Sequence, residues 1–241
     1  MDLWVAGVDG CKAGWIAVFR NLKDPAATRL HVFAEFPDLL KFDPPAQVIA
    51  VDMPIGLPER VGAGGRAPEK SVRPLLGQRQ SSVFSVPSRA AVYTEDYRDA
   101  CEISLKTSEP PRKISKQAFY LFPKIREIDA VMHPDMESRV FEVHPELAFW
   151  RLNGEAEMSL PKKIKGRANA PGLNQRRDLL VSYGFDQAFL DQKPPRGAGR
   201  DDLLDAAANS LIAGRIQFGE AEPFPKSFTR DVRGLRIAIW A

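Results

Sequence analysis

The chain has 241 residues and a formal net charge of +3, with a pI near 8.9. That length suits one large α/β domain and lets the fold bury about 70% of its unfolded surface without disulfides. The small positive balance does not by itself argue nucleic-acid binding, so any basic face must be local. Cys11 and Cys101 stand far apart in unlike contexts. They match neither a disulfide framework nor a zinc site, and the expectation is a reduced, cytoplasmic chain. The opening "MDLWVAGVDG" has no basic leader pattern, and its apolar run is broken by Asp9. No stretch reaches the roughly 18 apolar residues of a membrane-spanning helix, so no membrane partner is expected.

Residues 3–9 and 14–20 read as two strands joined by a glycine turn, a β-hairpin. "RLHVFAEF", residues 29–36, is a third strand with Leu30, Val32 and Ala34 on one side, and "FPDLLKF" a short helix. "QVIAVDMPIGLP", residues 47–58, opens as a continuous apolar run, which suits a central strand covered on both faces. Residues 59–92 form a long Gly-, Arg-, Ser- and Pro-rich connection. Residues 94–107 and 115–132 have helical spacing, with Ser115 as an N-cap and Pro123 kinking or restarting the second helix. "VFEV" within 139–152 is a strand that turns through His144 and Pro145. A helix is predicted around 172–184 and another over 201–219, with Leu204, Ala208, Leu211, Ile212 and Ile216 as its apolar stripe and Gly219 as its stop. "GLRIAIW" closes the chain as a strand.

Three of these strands carry a carboxylate in apolar company: Asp9, Asp52 and Glu142. The last helix opens with Asp201, Asp202 and Asp205, and the last two can face one way within a turn. Each has an ordinary explanation. Asp9 can serve a turn, Asp52 a strand end and Glu142 an exposed edge, while Asp201 and Asp202 are good caps. Asp205 lies beyond the cap, beside an alanine-rich face. A single cluster would explain the set, because strands of one sheet can bring their ends together. Such carboxylates repel unless a divalent cation holds them, and oxygen-only ligation suits Mg²⁺ or Mn²⁺. Two such ions about 4 Å apart serve in-line phosphodiester cleavage.

Other stretches carry weaker signals. "SSVFSVPSR", residues 81–89, offers Ser82 and Arg89 to a phosphate, or is a loop anchored by Val83 and Phe84. His144 can assist proton transfer or cap its turn, and Glu146 is a further ligand or a helix-start acid. Residues 161–177 hold Lys162, Lys163, Lys165, Arg167, Arg176 and Arg177 with no acid between them, either a solvated face or a contact for a nucleic-acid backbone. Lys116 is a lesser candidate of that kind, and Lys12 sits in the first turn.

The order of these features resembles the ribonuclease H-like superfamily. "GVDGCKAGWIAV", "IAVDMPIGLP", "GQRQSSVFSVPSR", "KI-E-D" at 124–129, "FEVHPE" and "DDLLDA" are together similar to a family of unknown function, number 429, usually described as predicted RNase H-like nucleases. That resemblance implies one domain with a mixed sheet, hairpin strands followed by parallel ones, and an insertion over about 59–135. It implies a Mg²⁺- or Mn²⁺-dependent nuclease acting on DNA or RNA. Asp9, Asp52, Asp202 and Asp205 would be ligands, with Glu142 and His144 also catalytic. Lys12, Ser82, Arg89, Lys116 and Lys163 would contact substrate. The chain departs from the family pattern at "RAPE", which puts Glu69 where an aspartate is usual. Two other readings fit in part: an ATPase or phosphotransferase of the actin and sugar-kinase type, and a non-catalytic nucleic-acid-binding module. The first would require a second "DxG" hairpin in the C-terminal half, which the sequence lacks.

Overall fold

The computed structural model describes residues 2–24 and 26–241. Its centre is a five-stranded sheet in the order β3-β2-β1-β4-β5. The strands are β1 (Trp4–Cys11), β2 (Gly14–Asn21), β3 (Thr28–Phe33), β4 (Val48–Val51) and β5 (Val140–Glu142). β1, β2 and β3 form an antiparallel meander, and β4 and β5 join β1 in parallel. This is an α/β mixed sheet flanked by helices, consistent with the ribonuclease H-like architecture that the motif order implies.

The sheet is covered on both faces because its central strands carry apolar residues in both phases of the pleat. Val5, Ile16, Val18, Val48 and Ala50 pack on α7 (Pro145–Leu152), α8 (Ala170–Ser182) and α10 (Arg200–Gln217). Trp4, Ala6, Val8, Trp15, Ala17, Phe19, Ile49 and Val51 pack on α1 (Phe36–Leu40), α3 (Arg89–Val92), α4 (Tyr97–Thr107) and α6 (Phe122–Val131). Short α2 (Ala67–Val72), α5 (Lys116–Phe119) and α9 (Gln187–Asp191) complete the helices, and two hairpins, β6 (Lys163–Ile164) with β7 (Arg167–Ala168) and β8 (Pro223–Arg230) with β9 (Arg236–Trp240), lie outside the main sheet.

The connection between β4 and β5 contains α2 to α6 and two 3-10 segments, so the stretch 59–92 is folded rather than an open loop. Ser115 caps α5, accepting from Ala118 N at 3.1 Å, and the helix restarts at Phe122 with Pro123 in its first turn. The predicted turn at His144–Pro145 is a helix start: His144 is the N-cap of α7, and Pro145 costs nothing in a first turn. α10 is buried along its whole middle, from Leu203 to Gly214, rather than along one stripe.

Candidate functional site

Strand parity decides which acids can meet. On β1, Val5 faces α10 and alternate residues follow it, which carries Asp9 to the same side. On β4, Val48 and Ala50 face α10, and Asp52 is next in phase. The parallel register pairs Val8 with Val51, and Asp52 N donates to Val8 O at 3.0 Å, so the two aspartates stand side by side. β1 runs on through Cys11 and Asp9 pairs with Ile16 within the hairpin, so Asp9 is a buried strand residue and not the turn residue. Its Oδ1 accepts from Gly10 N at 2.8 Å.

The third acid arrives by close packing. A Cβ on Gly7 would lie 2.0 Å from Ser210 N and 2.1 Å from Ala206 O, so the backbones of β1 and α10 touch there. Asn209 Nδ2, buried, donates to Val8 O at 3.0 Å. One turn back along α10, Asp205 is thereby set beside Asp9. Asp202 lies closer to the helix start, where it accepts from Gly199 N at 2.8 Å. Asp201 pairs with Lys163.

The charges here are unbalanced. Burial first, and then the charges of Asp52 and Asp205, hold Asp9 well above the usual carboxylate range. Burial pushes Asp52 up to about 7, with Lys162 opposing and Asp205 and Glu142 reinforcing. Burial pushes Asp205 up to about 6 against the pull of Lys162. The Lys162 ammonium forms an ion pair with Asp205 Oδ2. Burial lowers that ammonium, but Asp205, Glu146 and Asp9 outweigh it and raise it above the ordinary lysine value. Asp205 Oδ1 is buried with no hydrogen-bond partner.

An unpartnered buried carboxylate oxygen among repelling acids, all of them hard oxygen donors, fits a divalent cation such as Mg²⁺ or Mn²⁺. Among the described residues no group of three or more His, Cys, Asp or Glu side chains is already drawn together as a ligand set. The Lys162 ammonium is the cation that stands among these acids.

Glu142 lies elsewhere. Phe141 and Val143 of its strand face α10, while Val140 faces the opposite layer and Glu142 follows it. There it takes Arg66 Nη1 at 3.1 Å and Ile55 N at 2.7 Å, with Arg66 Nη2 on its other oxygen. Arg66 Nε in turn binds Glu69 at 2.7 Å, which gives the departing "RAPE" acid a structural partner. Burial pushes Glu142 up to about 7 against the pull of Arg66. A narrow cleft lined by Asp52, Phe84, Glu142 and His144 connects this pair to the acidic site. His144 is held neutral, its pKa lowered to about 4 by burial. Its Nε2 is 3.4 Å from Ser82 O, and its Nδ1 is buried without a partner.

The other named residues scatter. Lys12 and Lys116 are exposed. Ser82 is exposed, and its hydroxyl donates to Arg79 O. Arg89 binds Asp129 and Asp231, so its guanidinium ties the α3–α6 region to the β8–β9 turn instead of facing the acids. The basic run is mostly paired: Lys162 with Asp205, Lys163 with Asp201, Arg176 with Glu146, and Arg177 with Asp178 and Asp191. Only Lys165 and Arg167, on the exposed β6–β7 hairpin, keep the character of a solvated basic tip.

Lys124, from the "KI-E-D" stretch, carries a role that spacing did not reveal. Its ammonium donates to Gly14 O, lies 4.4 Å from the Trp15 ring centroid, and feels Asp9 and Asp202. Its methylenes fill the space that a Cβ on Gly10 would take. In the same stretch Glu127 accepts from Trp15 Nε1 at 2.9 Å and Asp129 from Arg89. The motif therefore straps α6 to the hairpin, with one cation left at the acids' edge.

The fold and its acids thus define an α/β domain with a carboxylate-rich centre at the β1–β4 strand ends. The family described as "Protein of unknown function (DUF429)" matches residues 7–230, and the chain belongs to it. No curated protein and no solved structure matches the chain.

Proposed function

We propose that this protein is a Mg²⁺- or Mn²⁺-dependent hydrolase of phosphodiester bonds in nucleic acid, DNA or RNA. The observation that carries the reading is the surplus of buried carboxylate at Asp9, Asp52 and Asp205, which a single ammonium does not balance. Stability alone does not favour such a surplus, since unpaired buried charge is costly.

Asp9, Asp52 and Asp205 would hold the metal, with Asp202 at the opening of the site. The bound ion would make water a better nucleophile and offset charge on the phosphate. Glu142 is reserved by Arg66 and acts by fixing the β5 end. His144, neutral and with a free Nδ1, can accept a proton from the side of the cleft. Lys124 supplies positive charge near Gly10, and the exposed tip at Lys165 and Arg167 suits backbone phosphates. The actin-type alternative lacks support: the five-stranded sheet occurs once among the described residues.

The test is cleavage of end-labelled single-stranded, duplex, hybrid and branched oligonucleotides with Mn²⁺, using the parent and Asp9→Asn. The reading expects metal-dependent cleavage by the parent and a loss of at least about a hundredfold in the variant. Binding of the same oligonucleotides without cleavage, unchanged by Asp9→Asn, would favour the non-catalytic module.

A further inference from the structure

We infer that Lys162 takes the place of a second cation, so that the carboxylate centre accommodates one divalent ion and not two. This rests on the hydrolase reading and goes beyond it, because it fixes how many ions the site takes and names the residue that limits them.

Lys162 is a built part of the site. The backbone on both sides of it is pinned. Arg176, fully buried, donates from Nη1 to Leu160 O at 2.9 Å. Asn169 Nδ2 donates to Pro161 O at 2.7 Å, and Asn169 N donates to Lys162 O at 2.9 Å. A Cβ on Gly172 would lie 2.0 Å from Pro161 O, so α8 lies against this segment with no side chain between them. Arg176 is itself clamped by Glu146, with Nη2 at 2.8 Å from both carboxylate oxygens. The exposed neighbours Lys163 and Lys165 lie on the β6–β7 hairpin, outside this anchoring.

The charge count follows from who is already paired. Glu146 belongs to Arg176 and Asp201 to Lys163, while Asp202 and Lys124, one acid and one ammonium that feel one another at the edge of the site, cancel in the count. Asp9, Asp52 and Asp205 remain, facing one ammonium. With all three ionised, as metal ligation requires, three carboxylates against one lysine leave two negative charges, which one divalent ion balances. A second divalent ion would leave the protein's own groups with an excess of positive charge. Asp205 shows the division directly: Oδ2 is taken by Lys162, while Oδ1 is buried and free. Lys162 then supplies the fixed positive charge that a second ion provides in a two-metal centre, and it needs no recruitment from solution.

The experiment counts ions. Mn²⁺ is titrated calorimetrically into the parent, Lys162→Met and Lys162→Arg, with bound Mn²⁺ counted independently by electron paramagnetic resonance. The parent and Lys162→Arg are expected to bind one ion per chain. Lys162→Met should bind two, or bind one at least about tenfold tighter, because a like charge in contact range has gone. Two ions in the parent, or a methionine variant indistinguishable from it, would overturn the role of Lys162 and leave the hydrolase reading standing. No ion in the parent would overturn both. Circular dichroism melting establishes that each variant folds. Should Lys162→Met fail to fold, the ion counts of the parent and Lys162→Arg decide between one and two.

Discussion

Two buried sets of carboxylates sit at the β4 and β5 strand ends, along one cleft, and they are solved in opposite ways. At the start of α2, Glu142 and Glu69 share Arg66 as a salt-bridged and hydrogen-bonded trio. On the α10 side, Asp9, Asp52 and Asp205 share only Lys162, and one oxygen of Asp205 has no partner. Burial is similar, yet the first set is matched by a planar guanidinium and the second is left short of positive charge. Buried acid is therefore not in itself a mark of function. A deficit of counter-charge is.

The contrast is most exposed to test at Arg66. Arg66→Met strands two buried glutamates, and unfolding in denaturant should show a loss of about 3–5 kcal/mol. Asp52→Asn should have the reverse sign. The Asp52 carboxyl is raised in the folded protein, so its ionisation opposes folding. That penalty is absent below about pH 4, where the group is protonated folded and unfolded, and it grows as pH rises toward about 7. The metal-free variant should thus be more stable than the parent by about 2 kcal/mol at pH 8, with the gain fading by pH 4. A destabilised Asp52→Asn at pH 8 would erase the distinction between the two sets. The smallest effect is expected at Arg177, whose pairing with Asp178 and Asp191 is at the surface. Arg177→Ala should leave the thermal midpoint within experimental error.

Much of the scaffold is readable from spacing alone. The hairpin, the apolar β4 run and the long last helix each announce themselves by period, and Asp9, Asp52 and Asp205 fall on one face once the strands are phased. Glu142 was not separable from them because "VFEV" is apolar on both sides, so its phase cannot be read locally. Only the packing of Phe141 and Val143 on the α10 layer reveals it. The basic run misleads for a different reason. Its partners lie far along the chain, with Glu146 30 residues from Arg176 and Asp205 43 residues from Lys162, and no local pattern encodes those pairings. Pro145 at a first-turn position signals α7, but directly after a strand the same His-Pro pair is equally a turn signal. β8 carries Pro223 and Pro225, which suppress a strand reading although it pairs with β9.

The contact at Gly7 has one more consequence. Where two elements meet through side chains, their spacing drifts with each change of volume in the layer between them. β1 and α10 meet through main-chain atoms, which no substitution elsewhere can resize. The interval between Asp9 and Asp205 is therefore gauged by the peptide backbone itself, and the surrounding apolar layers are free to vary in composition without recalibrating it.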